Sequence, residues 1–168
     1  NLKKLSIIAT LWRLFLGLQV SIFIIYVQSF LGKSEAHYGI FMTIVGIGSL
    51  LGSLIGPFVT KKVKENILII TGISFHYITF AILGFISNYY IATTIAFLSF
   101  MVFYLTLVSL HSIRDKSTKT LFRGRVYGSV TAFLTPPAII SMLLGGYIAE
   151  VFGVDKAIII FGALSALS

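Results

Sequence analysis

Hydrophobic residues fill this chain in long blocks, separated by short polar turns and, over residues 114–125, by a long polar loop. The blocks cover residues 5–31, 38–60, 66–86, 89–113 and 126–151, and a sixth runs from Ala157 to Ser168. A helix needs about 20 residues to cross the hydrocarbon core of a bilayer. The first five blocks meet that length, and the sixth stops at roughly 12. Runs this long are helices when they lie in lipid, because every backbone donor must be satisfied within its own segment. The pattern predicts an all-α integral membrane protein, a six-helix transmembrane bundle whose last helix is incomplete. Asn1 is not a methionine, and the last block ends inside an apolar run. The chain accordingly reads as a fragment of a longer protein, with no cleavable signal at its start.

Composition agrees with the blocks. The chain is 57% hydrophobic and 11% charged, against about 25% charged residues in a soluble domain. Mean hydropathy is +1.00. The net charge is +8, and its placement says more than its size. Ten of the thirteen Lys and Arg residues fall on one side: Lys3, Lys4, Lys61, Lys62, Lys64, Arg114, Lys116, Lys119, Arg123 and Arg125. Lys33 and Lys156 fall on the other side, and Arg13 lies within the first block. Basic residues in short loops collect in the cytosol. The expected orientation therefore has a cytoplasmic N-terminus, in the plasma membrane of a bacterium, with membrane lipid as a partner. No loop is large enough to build a nucleic-acid interface with aromatic platforms. There is no cysteine, the three histidines and five carboxylates show no metal-ligand spacing, and no cofactor is expected. No paired nucleophile and base, acid dyad or HExxH motif suggests an enzyme.

Gly48, Gly52 and Gly56 recur every four residues in the second block, with Gly39 and Gly46 nearby. That spacing clears one helix face of side chains, so a neighbouring backbone can approach closely. Ordinary tight packing and a sliding contact between two halves of a transporter both fit it. The block ends in Pro57 and the cluster Lys61, Lys62 and Lys64. The string Gly56-Pro57-Phe58-Val59-Thr60-Lys61-Lys62-Val63-Lys64-Glu65 resembles the cytoplasmic loop signature of the major facilitator superfamily, roughly Gly-x-Leu-Ala-Asp-Arg-x-Gly-Arg-Arg. Thr60 stands at its aspartate and Val63 at its inner glycine, so the family's acidic gate residue has no counterpart here.

A second stretch, from Arg123 to Val154, is similar to the loop and eleventh helix of drug-exporting facilitators. Arg123-Gly124-Arg125-Val126, Pro137 and Gly145-Gly146 carry that match. The chain as a whole resembles helices seven to twelve of twelve in the macrolide and enterobactin exporter branch. The superfamily is built from two repeated halves, so the resemblance implies the C-terminal half of such a fold. It also implies proton-coupled efflux of drugs or other small molecules by alternating access, with the N-terminal half of the same transporter as partner. Gly52, Gly56, Pro57, Lys61, Lys62, Lys64, Gly124, Arg125, Pro137, Gly145 and Gly146 would then be gate or motif residues. Pro136 and Pro137 remove two backbone donors and should bend or loosen the fifth helix, as a rocking point or as a static kink.

Polar and aromatic residues inside the blocks supply the remaining candidates. Trp12, Gln19 and Tyr26 share heptad spacing in the first block, as do Tyr90, Phe97, Tyr104 and His111 in the fourth. In the resembling family these helices line the central cavity. Trp12, Gln19, Tyr26, Phe97 and Tyr104 are therefore the candidate substrate contacts, since aromatic walls with sparse polar groups suit a bulky apolar ligand. Packing alone also explains aromatic residues at this spacing. Arg13 either snorkels to the cytoplasmic surface or faces the cavity. His76, mid-block, is expected as a hydrogen-bonded packing residue, with a proton relay as the alternative. Glu150 is near the outer end of its block, and no block has a central carboxylate, so a proton-titrating carboxylate is expected in the partner half. The rival to the transporter reading is a self-contained six-helix membrane protein acting as a structural or channel-like oligomer.

Overall fold

The computed structural model describes residues 16–166, and these residues are helical throughout apart from short turns. Helix α1 is described over Leu16–Phe30. Helices α2 (Glu35–Val59), α3 (Glu65–Leu83), α4 (Tyr89–Ser117), α5 (Arg123–Phe152) and α6 (Val154–Ala166) follow. Four of these segments, 35–59, 65–83, 89–116 and 120–152, are long and apolar enough to cross a membrane. Trp12 and Arg13 lie outside the described residues, as do residues 5–15 of the first expected span and 167–168 of the sixth.

Local chemistry sets the helix ends. Asn88 caps α4, its Oδ1 accepting from the amides of Tyr90 at 3.0 Å and Ile91 at 3.2 Å, so two donors that a helix start leaves open are satisfied. The last turn of α1 widens to a π-turn over Tyr26–Phe30, where Leu31 N donates to Tyr26 O at 2.9 Å. Gly153 joins α5 to α6 at φ +89°, a left-handed backbone that favours glycine.

One boundary corrects the sequence expectation. Residues 114–125 read as a long polar loop, yet α4 continues to Ser117 and α5 begins at Arg123, with a single 3-10 turn over Thr120–Phe122 between them. Hydropathy marks where lipid ends, whereas a helix extends into water when its residues permit. Arg114 and Lys116 occupy the last turn of α4, where positive charge complements the helix dipole.

Phe23 of α1 marks the middle of the core. Its ring lies 5.3 Å from that of Phe41 on α2, 5.7 Å from Phe80 on α3 and 5.8 Å from Phe100 on α4. Tyr26 reaches the end of α3, its hydroxyl 2.9 Å from Leu83 O and 2.8 Å from Ile86 O. The hydroxyl of Tyr89 donates to His37 O at 2.8 Å, which ties the start of α4 to the start of α2.

Close approach at small residues organises the remaining contacts. Gly48, Gly52 and Gly56 of α2 are buried. A Cβ added at Gly48 would lie 2.5 Å from Phe97 O of α4, one at Gly52 would strike Met101 O, and one at Gly56 would lie 2.8 Å from Val108 Cβ. The two helices therefore run parallel, backbone against backbone. On α5, Ser141, Gly145 and Ala149 are buried at the same four-residue spacing. A Cβ at Gly145 would lie 3.0 Å from Leu18 Cα of α1, and one at Gly17 of α1 would strike Ala138 and Ser141. Ser21 Oγ of α1 donates to Met142 O of α5 at 2.5 Å.

These pairings follow a rule. Helix α2 packs on α4 as α5 packs on α1, α3 touches α4 as α6 touches α1, and α3 packs on α6. Exchanging the first three helices for the last three preserves these five pairings, whereas the contact of α5 with α6 has no α2–α3 counterpart of similar extent among the described residues. Glu65 at the start of α3 meets Lys116 at the end of α4, while Tyr26 and Leu83 join the ends of α1 and α3. Thus α1 and α3 run one way and α4 the other, so the two three-helix units are inverted relative to each other.

Candidate functional site

The most polar part of the interior lies where α1, α3 and α4 meet. His76 on α3 is 1% exposed. Its Nδ1 is 2.8 Å from Ser99 Oγ on α4, and its Nε2 is 3.1 Å from Gln19 Oε1 on α1. Thr79 Oγ1, one helical turn on, donates to Ser99 Oγ at 2.6 Å. With the proton on Nε2 the bonds share one direction: Thr79 donates to Ser99, Ser99 to His76, and His76 to Gln19. The chain of bonds ends at Gln19 Nε2, which is buried with no partner among the described residues. Phe100 and Phe103 close over the imidazole, their ring centroids 5.1 and 4.3 Å from its own.

Neutral groups thus satisfy both imidazole nitrogens. A buried polar side chain needs such partners, because an unpaired one costs its full desolvation. The arrangement can tie three helices together without a charge. Among the described residues, no group of three His, Asp or Glu side chains could hold a metal ion.

The heptad stripes are divided by the fold. Gln19 and Tyr26 are fully buried among the helices of this bundle, so they do not line an open face of it as the stripe suggested. Heptad spacing marks a shared face but does not say which neighbour covers it. Phe97 and Tyr104 on α4 are half-buried, and His111 and Tyr90 are exposed. Tyr104 packs edge-on against Phe103, with ring centroids 5.6 Å apart. The rings of His111 on α4 and Tyr127 on α5 stack at 5.8 Å. Tyr127 donates to Asp115 Oδ1 at 2.9 Å, and the Arg114 guanidinium lies 5.2 Å from the Tyr127 ring centroid.

The glycine ladder is used up inside the chain. Because α4 fills the face cleared by Gly48, Gly52 and Gly56, these glycines do not form a sliding seam with a second half. Of the Gly145-Gly146 pair, Gly145 meets α1, while among the described residues nothing lies within 4 Å of a Cβ at Gly146 or Gly124. Arg125 is exposed. Its neighbour Arg123 donates from a guanidinium nitrogen to Asp115 O at 3.1 Å, fastening the start of α5 to the end of α4.

Pro136 and Pro137 do not interrupt α5, which stays helical through both. Proline has no N–H, so the carbonyls of Ala132 and Phe133 lose their usual partners. Thr131, Ala132, Phe133, Thr135 and Pro136 are all exposed. That face of α5 carries two freed carbonyls together with hydroxyls that bond their own helix, as Thr135 does to Thr131 O at 2.7 Å.

Charge is divided between the two ends of the bundle. The end holding the α2–α3 and α4–α5 turns carries Lys61, Lys62, Lys64, Arg114, Lys116, Lys119, Arg123 and Arg125, with only Glu65 and Asp115 to offset them. The opposite end carries Lys33 and Lys156 against Glu35, Glu150 and Asp155. Among the described residues the one ion pair joins Lys116 to Glu65 at 2.6 Å, and Ser112 donates to the same carboxylate oxygen at 2.9 Å. Pro57, in the last turns of α2, is exposed, as are Lys61, Lys62 and Lys64.

Sequence reasoning missed Ser99 and Thr79 as partners of His76. Serine and threonine are common in membrane helices, and only the α3–α4 crossing reveals which of them meet. It also missed Ser141 and Ala149, whose four-residue spacing around Gly145 was the available signal. No protein-family model, curated protein or solved structure matches this chain.

Proposed function

We propose that this chain is the C-terminal half of a secondary transporter of the major facilitator type, which exports drugs or other small molecules by alternating access. The observation that carries this reading is the exchange rule among the helices. Two inverted three-helix units packed through parallel small-residue seams suit a bundle that rocks as a rigid body about a midplane site. Parallel seams of backbone on backbone make the half stiff, so motion falls on its boundary with a partner.

Two further observations support the reading. The excess of Lys and Arg at one end supports a cytosolic position for that end. The freed carbonyls of Ala132 and Phe133 cannot face lipid, because an unsatisfied backbone group in hydrocarbon costs several kcal/mol, of order 2–7. Protein or a water-filled cavity must cover that face of α5, and a partner half supplies both. In this account the half-buried Phe97 and Tyr104 border the cavity, and the titrating carboxylate that couples export to protons belongs to the partner half. The basic turn after Thr60 latches the inner gate.

The test is a resistance and uptake assay on the full-length protein, with Phe97, Tyr104 and Arg13 each replaced. Tyr104→Ala should weaken export most among the described positions. Equal drug accumulation with and without the protein would end the transport reading. Unchanged transport in all three variants would remove the cavity assignment alone.

A further inference from the structure

The basic end of the bundle holds a cavity of about 500 Å³ in the mouth formed by the α2–α3 turn and the end of α4. Lys61, Lys62, Lys64, Asn66 and Lys116 line it. Glu65, which also lines it, is already engaged by Lys116 at 2.6 Å and by Ser112 at 2.9 Å. Lys61, Lys62 and Lys64 have no carboxylate within ion-pair distance among the described residues. Three lysines thus line one concavity whose single carboxylate, Glu65, is already engaged by Lys116. Side chains with this much like charge repel, and they gather stably when an anion sits between them. Helix α3 starts beside these lysines without a side-chain cap, and its first backbone bonds are those of Ile67 and Leu68 to Lys64 O.

The surroundings say which anion. Phe58 is 68% exposed, Ile67 51% and Ile70 68%, and all three stand beside the turn on helices long and apolar enough to span a bilayer. An apolar flank leading up to a basic concavity at the end of a span matches a molecule with a phosphate head and acyl chains. Lys61 itself lies 5.9 Å from the Phe58 ring centroid, holding an ammonium at the border between the two regions. We propose that this cavity is a binding site for an anionic glycerophospholipid. The phosphate diester sits among Lys61, Lys62 and Lys64, and an acyl chain lies along Phe58 and Ile67. The site requires only that the helices span a bilayer, and it is independent of what the protein transports.

The test uses the purified full-length protein in detergent micelles. Native mass spectrometry would measure apparent affinity for phosphatidylglycerol, for phosphatidylcholine and for inorganic phosphate. Lys61→Gln, Lys62→Gln and Lys64→Gln would be made one at a time, so that the basic excess orienting the chain survives. Lys33→Gln at the opposite end is the control. The expected result is preferential retention of phosphatidylglycerol, with affinity falling about fivefold for each of the three lysines and unchanged by Lys33→Gln. Equal retention of the two lipids would overturn the proposal, as would an equal loss in the control. Inorganic phosphate displacing the lipid at comparable concentration would also overturn it, by making the site one for a free anion.

Discussion

The α2–α4 seam and the His76 cluster hold the same bundle by opposite means. Along the seam, side chains are removed, and Gly48, Gly52 and Gly56 let two backbones touch. In the cluster, side chains are added, and Gln19, His76, Ser99 and Thr79 span three helices with directed hydrogen bonds. Lipid gives helices little hydrophobic reason to associate, so packing at small residues and polar ties must do it. At Gly48 and Gly52 the seam tolerates no extra atom, because the neighbours there are carbonyl oxygens that cannot move aside. The cluster tolerates substitution where its partners are changed together. Steric fit sets one region and bond satisfaction the other.

Gly52→Ala should produce the largest effect. The added methyl strikes Met101 O, and overpacking against backbone costs about 3 kcal/mol, read as a lower unfolding midpoint in detergent. Unchanged stability would mean that the two helices do not touch there.

His76→Leu should cost less, about 1–2 kcal/mol, because it strands the Gln19 amide and frees Ser99. Adding Gln19→Leu should recover part of that loss, since removing both partners of a buried bond is milder than removing one. A double variant as unstable as the sum of the single ones would show that the two groups are not partners.

Gly46→Ala sharpens the contrast within one helix. Among the described residues nothing lies within 4 Å of a Cβ added there, so it should leave stability unchanged or raise it by about 0.5–1 kcal/mol through better helix propensity. Destabilisation equal to that of Gly52→Ala would erase the distinction between the two faces of α2. Smallest of all should be Lys116→Gln. The ammonium is 70% exposed, and exposed ion pairs contribute little, so the same unfolding measurement should barely move.

What the sequence disclosed divides along the same line. The four long apolar helices and the gathering of the basic turns at one end of the bundle were legible, because lipid imposes length and polarity residue by residue. The glycine ladder was legible as a close contact, since spacing alone places three glycines on one face. Its neighbour was not, because several helices could meet that face, and only the fold puts Met101 and Val108 there. Gln19 and Tyr26 were correctly grouped on one face, but nothing local says whether that face looks into a cavity or toward α3. His76 was recognisable as an oddity at mid-helix, while Ser99, 23 residues away, had no distinguishing mark. The helical extent of Arg114–Ser117 was hidden because charge was read as loop.

The account rests on a bundle that crosses a membrane with the Lys61–Lys64 turn and the Lys119 turn on the cytosolic side. The chain has no native cysteine, so single cysteines can be introduced cleanly. Ser34→Cys and Ser87→Cys should react with an impermeant maleimide in intact cells, whereas Val63→Cys and Thr120→Cys should react only after permeabilisation. Labelling of Val63→Cys from outside intact cells would contradict the orientation, and with it the placement of the basic end in the cytosol.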